Sequence, residues 1–71
     1  MMTKPTSTQI QAAVAAHVAA VGAANVSLTE VALSLDARHP GMSDKEFAEV
    51  RNEVAPLVVE ARQAGVAAIW K

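Results

Sequence analysis

Residues 26–35 read Val-Ser-Leu-Thr-Glu-Val-Ala-Leu-Ser-Leu, and this stretch spells the start of a helix. Ser27 suits an N-cap because its hydroxyl can accept an orphan backbone N–H of the first turn. Glu30, three places on, can reach back to the Ser27 N–H and complete a capping box, with Val26 and Val31 flanking it as a hydrophobic staple. The same arrangement recurs on both sides. Thr6 pairs with Gln9, with Pro5 and Ile10 as a looser staple; Ser43 pairs with Glu46, with Met42 and Phe47 as the staple. One capping box is a weak signal. Three of them, at starts that hydrophobic periodicity selects independently, point to a chain of three helices.

Periodicity sets the extents. The first helix is expected over residues 7–21, with Ile10, Val14, His17, Val18 and Val21 on one face and Gly22 as its C-cap. The second is expected over 28–38, with a stripe of Leu28, Val31, Ala32 and Leu35. His39-Pro40-Gly41 ends it, because the residue before a proline is pushed out of the α region. The third is expected over 44–64, its apolar face made by Phe47, Val50, Val54, Leu57, Val58 and Ala61, with Gly65 as its stop. Pro56 falls inside that helix and removes one backbone hydrogen bond. The apolar face keeps its phase through Leu57 and Ala61, which predicts one kinked continuous helix. Beyond Gly65, residues 66–70 have the β-branched and aromatic character of a short strand, whose partner would be residues 25–27, the alternative being a helical continuation or a loose end. The expectation is one small all-α domain over residues 1–71, with at most a two-stranded ribbon.

Composition agrees and adds a constraint. Of 71 residues, 52% are hydrophobic, but sixteen are alanine and ten valine, against four leucines, two isoleucines, Phe47 and Trp70. Such a core is thin, and no cysteine is present to staple it. A domain of this size draws only about 3–5 kcal/mol from its core. Self-association would relieve that shortage, so a homodimer through apolar residues of the first or third helix is expected. Phe47, Val54, Ala61 and Ala68 form one heptad line and Val50, Leu57 and Ala64 another. These lines read first as internal core and second as a seam to a copy, where Glu46 would meet Arg51 across a parallel pair.

Charge and targeting signals exclude several functions. The net charge is −1, unlike the strongly basic footprint of a nonspecific nucleic-acid binder. Pro5 to Thr29 contains no charged side chain. That stretch imitates a secretory leader, but Thr6-Ser7-Thr8-Gln9, Gln11 and His17 interrupt it, and a cytoplasmic location is expected. No apolar run reaches the roughly 18 residues of a membrane span. His17 and His39 lack convergent ligands, which argues against a metal site. There is no thiol, no glycine-rich phosphate loop and no nucleophile–base series, so neither an enzyme nor a cofactor is expected.

In order, the chain reads helix, short strand, helix, tight connection, longer helix, strand. With Val26-Ser-Leu-Thr-Glu-Val-Ala-Leu-Ser-Leu, Val50-Arg51 and Glu60-Ala61-Arg62-Gln63-Ala64-Gly65-Val66 in those places, it resembles a winged helix-turn-helix domain. The resemblance implies that the third helix is a recognition helix, that Lys45, Arg51 and Asn52 would reach a DNA groove, and that the protein would be a transcriptional regulator. Two features depart from that pattern. The sequence stops at Lys71, where the family turns into a second wing strand, so the wing is expected to be rudimentary. The third helix carries five acids against three bases over residues 43–64, which opposes phosphate contact. The leading expectation is therefore a non-catalytic protein-interaction module, an adaptor or an inhibitor of a larger protein. Its docking surface would be the acidic stripe of Glu46, Glu49 and Glu53 with Arg51, and Trp70 would either close the core or serve as an interface anchor.

Overall fold

Thr6, Ser27 and Ser43 each open a helix in the computed structural model, which describes residues 4–69. Helix α1 spans Ser7–Val21, α2 spans Leu28–Arg38 and α3 spans Asp44–Ile69, with a 3-10 turn at Ala23–Asn25 between the first two. The Thr6 box closes in both directions: the Gln9 N–H donates to Thr6 Oγ1 at 3.2 Å and the Thr6 N–H donates to Gln9 Oε1 at 2.8 Å. The Ser43 box also closes, at 3.1 and 3.0 Å. The Ser27 box closes on one side only. The Glu30 N–H donates to Ser27 Oγ at 3.4 Å, but the Glu30 carboxylate turns instead toward His17, 3.0 Å away.

The strand expectations for 25–27 and 66–70 fail over the described residues, which contain no strand. Asn25 closes the 3-10 turn, and its side-chain amide donates to the Val21 carbonyl at 3.1 Å, satisfying an orphan acceptor at the end of α1. Val26 is extended but serves the core, with 1% of its surface exposed. Gly65 is not a stop, because α3 runs through it to Ile69. A Cβ at Gly65 would lie 2.5 Å from the Ala24 nitrogen and 2.8 Å from the Ala23 carbonyl carbon. The glycine is a notch that lets the 3-10 turn press its backbone onto α3. The alanines that follow are strong helix formers, so with no strand to pair with, the segment stays helical. Trp70, expected in the strand and at an interface, lies outside the described residues.

Helices α1 and α3 run in the same direction. Lys4, just before α1, bonds Glu49 near the start of α3, and Gly65 near its end receives Ala23 and Ala24, just after α1. Helix α2 packs against both. The three bury Ile10, Val14, Val26, Val31, Leu35, Val50, Val54 and Val58, with Ala13 and Ala32 filling close contacts. Val50 and Val54 are fully buried within the chain, so the first half of the heptad seam is internal core. The continuous helix expected through Pro56 is observed. Pro56 sits on the exposed side, where water can satisfy the carbonyl it leaves without a donor. No described helix is long and apolar enough to cross a membrane.

Candidate interaction surface

Three of the side chains that the sequence assigned to one docking stripe have partners within the chain or close by. Glu46 closes the Ser43 capping box. Glu49 accepts a hydrogen bond from Lys4 Nζ at 2.8 Å, although 45 positions separate the two. Glu53 and Glu46 lie close enough to act on the same ammonium through their charges. The hydrogen bond to Glu49, supported by these neighbouring carboxylates, raises the Lys4 pKa, and the same bond and charge lower that of Glu49. The repulsive Glu49–Glu53 spacing is thus relieved by a cation from the far end of the sequence. Sequence reading passed over Lys4 because no local pattern links residues so far apart.

Arg51 stands apart from this cluster. Residues two places apart on a helix point to nearly opposite sides, so Glu49 and Glu53 flank α1 while Arg51 turns toward α2. There it lines a hollow of about 280 Å³ with Thr29, Ala32 and Leu33 of α2 and Phe47 of α3. Arg51 is exposed and forms no ion pair with any described residue. Leu33 is 56% exposed, the most open of the large hydrophobics among the described residues. The sequence reading of α2 stopped at its buried stripe and missed Leu33. The available signal was its position off that stripe: a leucine on the wet face of an amphipathic helix. In the sequence Phe47 reads as staple, core and heptad seam, not as the wall of a hollow. It is half-buried and forms the opposite wall of the hollow.

Lys45 and Asn52, offered with Arg51 as groove-reading residues, are both exposed. They are seven places apart and share one side of α3, but neither lines the hollow. A second, more open groove separates α1 from α3, where Val14 and Val18 face Leu57, Ala61 and Ala64. On the remaining side, His17 has 19% of its side chain exposed and approaches Glu30, bridging α1 and α2. The ring nitrogen lacks the alignment of a hydrogen bond, so the contact is a close approach only. Among the described residues no group of three His, Asp or Glu side chains could hold a metal ion.

The α2–α3 hollow therefore offers an apolar floor, an aromatic wall and one guanidinium. That arrangement can bind and orient a side chain. No protein-family model matches the chain, and neither a curated protein nor a solved structure matches it.

Proposed function

We propose that this chain is a non-catalytic protein-interaction module, cytoplasmic and homodimeric, that docks a partner at the α2–α3 hollow. The observation that carries this reading is the hollow's composition. Exposed Leu33 and half-buried Phe47 surround an apolar floor, with Arg51 at the edge. An apolar centre with a polar rim, enriched in arginine and aromatic residues, is the usual anatomy of a protein interface. At about 280 Å³ the hollow lies just under the ~300 Å³ at which small-molecule pockets begin. It suits one or two side chains of a partner better than a whole substrate. The dimer is supported by the thin core and by the open α1–α3 groove, whose α1 wall belongs to a stretch with no charged residue.

Affinity capture from the source cell tests the docking reading. Wild-type bait should retain a partner that Leu33→Asp and Arg51→Glu baits lose, each with an unchanged circular dichroism spectrum. Equal recovery by all three baits would remove the hollow from the account. Light scattering at micromolar concentration should give twice the 7.4 kDa chain mass, and the monomer mass would end the dimer proposal.

The second reading is a winged-helix-like DNA-binding regulator. It is supported by the tight connection between α2 and α3 and by the exposure of Lys45, Arg51 and Asn52. With no strand among the described residues to form a wing, this reading rests on α3 alone. Phosphate contacts dominate nucleic-acid affinity and strengthen as salt falls. A mobility shift near ~50 mM salt that weakens in Lys45→Ala and Asn52→Ala would favour it over docking.

A further inference from the structure

We infer that the partner segment taken by the α2–α3 hollow is acidic: an apolar, leucine-like side chain with a carboxylate next to it. This inference rests on the docking reading above and assigns the partner's chemistry. An acidic stripe of Glu46, Glu49 and Glu53 on its own would attract a basic partner. The structure redirects that expectation, because Glu46, Glu49 and Glu53 gather around Lys4 on the α1 side of α3. Arg51, which lines the hollow, carries charge of the other sign.

Among the described residues, Arg51 is the one charged side chain lining the hollow. It is unpaired among the described residues, and its planar guanidinium favours a two-pronged hydrogen bond with a carboxylate. Glu30 approaches His17 on the other side of α2, while Asp36 of α2 and Asp44 of α3 lie one turn beyond the lining residues and do not line the hollow. The Thr29 hydroxyl adds a second group able to donate. Between these groups Ala32, Leu33 and Phe47 offer a surface with no charge, where an aliphatic side chain loses water without stranding a polar group. A basic segment would set its charge against Arg51. A wholly apolar segment would fill the floor and leave the guanidinium without a partner.

Two small probes of one shape separate these cases: N-acetyl-leucine, which carries a carboxylate, and N-acetyl-leucinamide, which does not. Each is titrated into the ¹⁵N-labelled full chain at low salt, and backbone amide shifts are followed. N-acetyl-leucine should shift the amides of Thr29, Leu33, Phe47 and Arg51, binding about threefold to fivefold more tightly than the amide, as suits one exposed charge pair. Arg51→Gln should erase that preference while keeping the leucinamide shifts. Equal binding of both probes at the hollow would overturn the acidic partner and leave the docking reading standing. Shifts confined to the α1–α3 groove would overturn both.

Discussion

Gly65 shows how one side chain, here its absence, decides an element. A glycine inside a helix ordinarily costs about 1 kcal/mol relative to alanine, so an alanine at an open helical position should stabilise. At Gly65 the added Cβ would meet backbone atoms of Ala23 and Ala24 at 2.8 Å and closer. Neither is the end of a flexible side chain, so the 3-10 turn must move. Gly65→Ala is expected to destabilise by about 1–3 kcal/mol, the usual range for an overpacked contact; a rise in the urea midpoint would show that the notch is not needed. Lys4 makes the second residue-level case. The Glu49 pKa is lowered by its bond to Lys4, so the Glu49 contribution to stability is present above its unfolded pKa and lost as pH falls through its folded value. The raised Lys4 pKa gives the mirror image: its contribution is lost as pH rises through the folded value. Carbon-13 titration of the Glu49 carboxyl should place its midpoint below the ordinary glutamate range, and Lys4→Met should return it upward. An unchanged midpoint would mean that the bond does not form in solution.

At the scale of elements, the three caps rank themselves by geometry. Ser43 holds a two-way box at 3.0 and 3.1 Å, whereas Ser27 makes one long bond of 3.4 Å. Ser43→Ala is expected to cost about 1 kcal/mol and Ser27→Ala about half of that, measured by chemical denaturation; the reverse order would contradict the bond lengths. Pro56→Ala should stabilise α3 by about 1–3 kcal/mol, since it restores an N–H donor inside a helix that is already continuous. Helix starts were legible in the sequence because caps are local chemistry, spanning three or four residues. The end of α3 was not legible. Gly65 looks the same in one dimension whether it stops a helix or admits a neighbouring backbone, and only the return of Ala23 and Ala24 distinguishes the two. Glu30 failed for the same reason: its competing partner, His17, comes from another helix. The hollow was half legible. Arg51 was singled out, but its grouping with Glu49 and Glu53 ignored the turn of the helix between them, and Leu33 was passed over.

For the whole molecule, the decisive quantity is how little holds it together. Among the described residues, six of the ten buried hydrophobics are valines, none is aromatic, and Ile10 and Leu35 are the largest fully buried side chains. Leu35 is 1% exposed and packs where α2 meets the other helices. Truncating a buried leucine to alanine costs about 2–5 kcal/mol, which rivals the ~3–5 kcal/mol expected of an unstapled domain of this size. Leu35→Ala should therefore lose most of its helical circular dichroism at 25 °C in dilute solution. The homodimer proposal adds a second, independent expectation. Association that requires the folded state stabilises it by mass action, so the apparent midpoint must climb with protein concentration. Wild-type chain and Leu35→Ala should both melt at higher temperature at high concentration than at low, and the variant should regain helicity as it is concentrated. A melting temperature indifferent to concentration, in a chain that still unfolds on Leu35 truncation, would show a thin core standing alone and would remove self-association from the account of its stability.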